Sequence, residues 1–473
     1  MGGGNANRIG GLTALAVFSA VFAFSGSGAA LAQEPPVTIP AGGPPGYDSN
    51  AIPFYSWLVY PSINFLALNS NNFFLAPKSQ LRGWEFSVNP NVTAIWSNGI
   101  HTTTIYGSVQ RVEYPTNNPL NGTNGEATFT QQYAPLRDLN FTLVGDYTHQ
   151  TLSSGLTNAI PSAIAFTGIT ILPNGNIVLP NGNIINPTTG QVVGQIGTGF
   201  GVTPFSLVNA YDQYTATARA QKIFSEGIVT VGTSLARTNY VNAGTADFTT
   251  KTFTEDAAFW LGSVFYFYTD GAFSIRDTEP LAVAPGPGTP GSTSTAYRII
   301  GGIGTRQIGL FRTSAYFGHQ GSGGSGSSAG GDVYGASLTY YPTPAWTISA
   351  NANETINRAS AGAPASNQAI NIPGITPLQF ANSSSTAITS AALNLSYTIN
   401  PLWSVTGTFG FTHADFLGSP IWNDSYVADV QLSYQMRRNL TVLWDYQYST
   451  IISDSPGTTA SRNQVTMSAT YKF

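Results

Sequence analysis

Chemistry in this sequence has to come from a few charges set at two-residue spacing among uncharged polar residues. Arg219 alternates with Gln213, Thr215, Thr217 and Gln221. Arg298 and Arg312 fall on the polar phase of their segments, and so do Asp146, Asp429 and Asp445. Residues two apart in an extended strand share a face, so each of these charges would stand on a polar wall. On a wall bathed by water such groups act on passing ions, and a ring of one sign selects the opposite sign. Mixed signs set up a transverse field with weak selectivity. The competing reading is that these groups pair across the wall or sit at solvated rims.

Bond-making chemistry is poorly provided for. Gly326-Ser327-Ser328-Ala329-Gly330 fits G-x-S-x-G, but it lies in a Gly/Ser tract without the strand-to-helix elbow that gives the motif its meaning. His101, His149, His319 and His413 stand on separate segment ends without metal-ligand spacing. No phosphate-cradling glycine loop occurs, and the glycines fall in turns or relieve strand crowding. The absence of cysteine excludes a disulfide framework and a thiolate metal site. The expectation is no enzyme activity, no cofactor and no metal centre.

The elements that would carry these charges are clearest at the C-terminus. Val465, Met467, Ala469, Tyr471 and Phe473 share one side of an extended strand, and Gln464, Thr466, Ser468, Thr470 and Lys472 the other. Such a strand suits a barrel wall between lipid and a watery lumen, but also the half-buried edge of a soluble sandwich. Composition separates the two. Of 473 residues only 8% are charged, against roughly 25% in ordinary soluble domains. That is little charge for a large water-facing surface. No apolar run of 18 or more residues lies beyond the N-terminus, so a helical membrane protein is excluded. A net charge of -4 argues against nucleic acid as a partner.

Residues 1–32 read as a secretory signal, with Arg8, an apolar core from Leu12 to Phe24, and Ala30-Leu31-Ala32 ahead of cleavage between Ala32 and Gln33. Residues 33–54 form a Pro/Gly-rich leader. From 55 to 473 the period is mostly two, predicting about 18 strands. Short connections fall at Ser97-Asn98-Gly99, Ala134–Asp138, Ser225-Glu226-Gly227, Thr269-Asp270, Thr305–Ile308, Pro342-Thr343-Pro344, Asn400-Pro401 and Met436-Arg437-Arg438. Longer ones separate them at 67–83, 115–125, 150–209, 240–252, 281–294, 320–330, 358–385, 414–423 and 451–461. This alternation is the pattern of an outer-membrane barrel with short periplasmic turns, long extracellular loops and both termini in the periplasm. Aromatics beside the short turns (Trp96, Tyr133, Phe224, Tyr268, Tyr341, Trp346, Tyr397, Trp403, Tyr434 and Phe473) predict an interfacial girdle. Segments 101–114 and 253–267 carry bulky apolar groups on both faces. In 150–209 a tandem repeat, Leu172–Ile177 and Leu179–Ile184, offers Asn-Gly turns for a small hairpin stack. That segment could constrict the barrel, cap its mouth or remain a surface loop.

Several short words resemble the β-barrel porin 2 family of bacterial outer-membrane proteins. They are Trp57-Leu-Val-Tyr-Pro-Ser-Ile63, Asn71-Asn72-Phe73, Pro90, Ser97 with His101, Tyr446-Gln-Tyr448, and Ser461-Arg-Asn-Gln-Val465 running to Phe473. Asn69-Ser70-Asn71 stand where the family would carry aspartates. The resemblance implies a porin-like outer-membrane protein, and similar barrels accompany exopolysaccharide systems.

The reading is an all-β, transmembrane antiparallel up-and-down barrel of about 18 strands. It would act as a passive channel for small hydrophilic solutes, with outer-membrane lipid around it. The C-terminal strand, with Tyr471 and Phe473, is the expected signal to the barrel-assembly machinery. Rival readings are a conduit for exopolysaccharide, working with export components, and a surface adhesin. The oligomeric state stays open.

Overall fold

In a computed structural model the two-residue alternation becomes one closed antiparallel barrel of eighteen strands. The structure describes residues 51–73, 80–116, 120–151, 210–241, 247–280, 291–305, 308–324, 329–358, 385–417, 422–454 and 459–473, with four short strands inside 170–195. The expected signal, its expected cleavage position and most of the expected leader lie outside these residues, as does most of the G-x-S-x-G motif.

A short β1 (Ile52–Phe54) precedes β2 (Trp57–Ser70), β3 (Gly83–Ser97), β4 (His101–Glu113), β5 (Gly122–Leu136) and β6 (Leu139–Gln150). Four small strands follow: β7 (Thr170–Ile171), β8 (Ile177–Val178), β9 (Asn183–Ile185) and β10 (Val192–Gln195). They pair into a separate antiparallel sheet, the hairpin stack expected of the tandem repeat. The barrel resumes with β11 (Tyr211–Phe224), β12 (Gly227–Tyr240), β13 (Phe248–Leu261), β14 (Phe265–Thr278) and β15 (Ser292–Thr305). Next come β16 (Phe311–Gly324), β17 (Ala329–Thr343), β18 (Trp346–Arg358) and β19 (Ser385–Asn400). The last strands are β20 (Trp403–Leu417), β21 (Trp422–Arg437), β22 (Leu440–Ser453) and β23 (Ala460–Lys472).

Each barrel strand pairs with its neighbours in the chain, and β6 pairs with β11 across the long connection. The ring closes where β23 lies on β2, from Ser62↔Lys472 to Ser70↔Gln464. Closure removes the edge that would otherwise seek another chain. β23 does not reach the start of β2, and β1 covers that remainder with the pairs Ile52↔Val59 to Phe54↔Trp57. In the sequence these three residues read as the end of the 33–54 leader. Their hairpin needs Tyr55 at φ 53°, a left-handed conformation that is costly without glycine.

One parity of every strand carries exposed bulky apolar groups. Phe65, Phe129, Phe253, Ile299, Phe317, Phe409 and Met467 stand on it. The opposite parity is polar, as in β23, where Arg462, Gln464 and Thr466 are buried while Val465 and Met467 are exposed. In a closed barrel the polar parity is the lumen and the apolar parity the outside. Charges return to the outside ten residues from the short turns: Arg111 from His101, Arg237 from Gly227, Lys251 from Leu261, His413 from Trp403. About 9–11 tilted residues cross the hydrocarbon core of a bilayer, so the apolar belt has that height. Glu255, outward and six residues in from Leu261, interrupts it.

The end with the short turns carries the aromatic girdle as stacked pairs. Trp346–Tyr397 rings lie 4.3 Å apart, Trp403–Tyr434 4.1 Å and Phe311–Tyr340 4.5 Å. His101, Tyr133 and Phe141 continue the row, and Phe473 is exposed at its end. Lys222 clips this end by donating to Asp138 of the β5–β6 turn. That bond holds the Asp138 carboxyl below the usual carboxylate range.

One predicted turn is wrong. The chain turns at residues 262–264, not at Thr269-Asp270, because Gly262 takes φ +72°, which glycine adopts freely. Thr269 and Asp270 are paired inside β14, opposite Ala257 and Asp256. The predicted strand 253–267 therefore straddled two strands, which is why both of its faces looked apolar. Tyr268 consequently leaves the girdle for the lumen, where its ring lies over Gly302; a Cβ there would stand 2.4 Å from Tyr268 Cζ and 2.6 Å from the Ala315 carbonyl oxygen. Gly302→Ala should therefore cost about 1–3 kcal/mol through overpacking. The check is the thermal unfolding midpoint of the detergent-solubilised barrel; an unchanged midpoint would show that the ring simply swings away.

Two expected long loops also shrink. The Gly/Ser tract pairs as strand (Gly321↔Gly330) and Asp415 pairs with Trp422. Glycine gives the ladder its backbone groups as well as any residue, so only 325–328 and 418–421 remain between strands.

Candidate functional site: the barrel lumen

Register decides which of the inward charges meet. Asp256 of β13 pairs directly with Asp270 of β14, so their side chains stand side by side on the inner wall and in contact. Arg298, inward on β15, donates through Nε to Asp270 Oδ1 at 2.9 Å, and its Nη2 bonds the same oxygen. From the other flank, Arg219 of β11 brings Nη2 to 3.9 Å from Asp256 Oδ2. The result is a row Arg219–Asp256–Asp270–Arg298 spanning β11 to β15. Both arginine side chains are only about a tenth exposed, at 8% and 12%. Arg219 Nε is buried without a hydrogen-bond partner among the described residues.

Counting from the short-turn end places these groups in one band of the wall, five to eight residues in. Arg219, Asp256 and Asp270 are each five residues in, and Arg298 is seven. Asp429 on β21 is eight in and Asp445 on β22 five, diagonal neighbours on the inner wall whose side chains touch. In the ring of eighteen, β21 and β22 lie nearly opposite β13 and β14. One wall thus carries arginines bonded to carboxylates, and the wall across the lumen carries carboxylates alone. Asp146 is seven residues in, on β6, and accepts from Thr128 Oγ1 at 2.7 Å; Glu126 stands next along its wall. Arg312 is the outlier: one residue in, exposed, at the short-turn mouth.

Neither Asp256 nor Asp270 stands out in the sequence, because Thr269-Asp270 reads there as a turn and leaves Asp270 outside any strand. Both stand on the polar parity once the turn moves to Gly262, so the signal was present. Polar lumen atoms around them include Tyr266, Tyr268, Ser314 and Ser337, with Ser314 and Ser337 hydroxyls 2.7 Å apart.

The other end of the lumen is narrowed by chain folded inward. Phe73, after β2, packs with Leu68, Val112, Tyr114 and Leu120 in a buried cluster. Arg462, 1% exposed, donates to the Phe73 carbonyl at 3.3 Å and to Gln447 Oε1 at 2.7 Å. Asn72 Nδ2 donates to the Ser461 carbonyl, and Asn463 N to Asn71 Oδ1. Two words nearly four hundred residues apart in sequence are thereby clasped at the closure seam. In the sequence Arg462 stands out only as part of the resemblance. Beyond Asn353, β18 leaves its ladder with β17, and Gln320 holds the Ile356 backbone from inside, donating to its carbonyl at 2.7 Å. Ile356 then packs on Val333 and Ile300.

Of the histidines, His149, His319 and His413 lie on the outside beside Asp212, Asp332 and Asp424, and His101 stacks in the girdle. Among the described residues no cluster has the make-up of a metal site.

No family model matches the chain, and neither does any curated protein. The resemblance to the β-barrel porin 2 family therefore rests on its short words alone. Among solved structures, OpdL of Pseudomonas aeruginosa is similar over 89% of this chain and 99% of its own, at 9% identity and a TM-score of 0.45. The siderophore receptor PirA of the same organism is similar over 87% of this chain and 80% of its own, at 8% identity and a TM-score of 0.44. A loop-deleted OmpT, an outer membrane protein of Vibrio cholerae, covers 88% and 100% at 10% identity, with a TM-score of 0.35. The barrel's own two faces carry the functional reading.

Proposed function

We propose that this protein is an integral outer-membrane channel through which small hydrophilic solutes diffuse. The observation that carries the reading is the contrast between the faces of the closed barrel: an apolar belt of membrane height outside, and a polar, charge-bearing wall inside. Lipid demands that every backbone group be satisfied internally, which a closed barrel does. Barrels of 16–18 strands enclose an aqueous passage unless something fills it. Short turns would face the periplasm and longer connections the exterior.

At mid-lumen Asp146, Asp256, Asp270, Asp429 and Asp445 outnumber Arg219 and Arg298. The expected selectivity is weakly for cations. Reconstituted in a planar bilayer, the protein should give stable open steps, with a reversal potential in a salt gradient of the cation-selective sign. An anion-selective sign would overturn the electrostatic reading.

A second reading, a conduit for secreted polysaccharide that opens with partners, is favoured by Phe73 and Ile356 standing inside the loop end. Folded protein that inserts but gives no steps would decide for it.

A further inference from the structure

The carboxylate pairs on the two walls of the mid-lumen are not equivalent. Asp256 and Asp270 have a guanidinium on each flank, Arg219 and Arg298. Asp429 and Asp445 touch each other, and among the described residues the charge facing Asp429 is Asp445 alone. Across the ladders the pair meets Thr408, Gln431 and Gln447, all neutral. The buried cation of this wall, Arg462, donates to Gln447 Oε1 and has Glu85 as its own carboxylate. Gln447 stands between it and Asp429. Nor do the long connections at 152–209 and 359–384 contain any lysine or arginine.

A third group stands with them. Thr466 of β23 is directly opposite Asp445 on the same inner face, where facing Cβ atoms lie about 4.5–5.5 Å apart. It is 7% exposed, and its Oγ1 has no hydrogen-bond partner among the described residues. Asp445 Oδ1, also buried, has none either. Buried polar atoms are nearly always paired, so two idle oxygens side by side mark a place for a donor. Around Asp445 the wall thus offers three acceptor groups, two of them anionic.

We propose that Asp429, Asp445 and Thr466 bind the primary ammonium group of a solute in transit. Such a group carries one positive charge and three N–H donors, which matches two carboxylates and a hydroxyl. Calcium takes about six to eight oxygens, more than this set supplies. A quaternary nitrogen brings the charge without a donor and would leave Thr466 Oγ1 unpaired. Transit rests on the diffusion reading above, whereas binding is measured apart from it.

The test is titration calorimetry on the full chain folded in micelles at neutral pH, with ethanolamine and with choline. Both carry the same charge and the same hydroxyethyl arm, but choline has methyl groups in place of N–H donors. Ethanolamine should bind about tenfold more tightly, the ratio that one charge-assisted contact supplies. Asp445→Asn should weaken ethanolamine about tenfold. Thr466→Val should weaken it about fivefold and leave choline unchanged. It should not lower the thermal unfolding midpoint, because that hydroxyl bonds nothing in the barrel; a structural role would move the midpoint instead. Asp332→Asn, which removes an exposed charge from the outside, should change neither affinity. Equal binding of the two amines, or affinity indifferent to Asp445→Asn, overturns the proposal. So does magnesium chloride bound more tightly than ethanolamine, which would make this a site for inorganic cations. Ethanolamine bound by a barrel that gives no steps in a bilayer would sink the diffusion reading and leave the site standing. Open steps without ethanolamine binding sink the site alone.

Discussion

Arg462→Ala should destabilise the barrel by about 3–5 kcal/mol, the range for removing one partner of a buried charged contact. The guanidinium is among the most buried side chains described, and it ties β23 to the Phe73 carbonyl and to Gln447. Removing it leaves those acceptors, and the neighbouring Glu85 carboxylate, in a space closed by Phe73 and Tyr114. Unsatisfied buried polar groups cost about 1–3 kcal/mol each, more when charged, so the loss is not confined to the bonds themselves. Arg462→Lys should recover only part of it, because an ammonium keeps the charge but not the fork that reaches two acceptors. Unfolding by denaturant in micelles measures both variants. The same substitution should raise single-channel conductance, since Asn72 and Phe73 lose their anchor at the loop-end mouth. A stable Arg462→Ala barrel of unchanged conductance would show that Asn71, Asn72 and Asn463 hold the seam without it.

The second large effect concerns Asp270. Asp270→Asn takes away the carboxylate that Arg298 bonds twice and that stands beside Asp256. With both side chains about a tenth exposed, the cost in stability should be about 3 kcal/mol. The reversal potential should shift toward anions, because mid-lumen loses a negative charge while Arg219 and Arg298 keep theirs. Replacing both partners, Asp270→Leu with Arg298→Met, should cost much less than the single change, as expected when a buried pair is exchanged for apolar groups of similar size. If the double variant is as unstable as the sum of the singles, the pair contributes nothing as a pair. Selectivity unmoved by Asp270→Asn would place the filter elsewhere, at Arg312 or at the loop-end mouth.

What the sequence determined by itself is local. A strand's two faces are set by alternation along a few residues, so Val465 to Phe473 could be read as the outside and Gln464 to Lys472 as the lumen without knowing any neighbour. Strand number followed from the same period, and the low charge followed from a surface that need not dissolve in water. The inward phase of Arg219, Arg298, Asp146, Asp429 and Asp445 was legible for this reason too. What only the tertiary structure decided is who meets whom. Asp256 and Asp270 touch because Gly262 turns the chain with one register; the polar dipeptide Thr269-Asp270 imitated a turn and hid the pair. Arg219 reaches Asp256 across two intervening ladders, and Arg462 reaches Phe73 only because the eighteenth strand returns to the first. Such contacts depend on registers accumulated around a whole ring, and no short-range pattern in the chain encodes that sum.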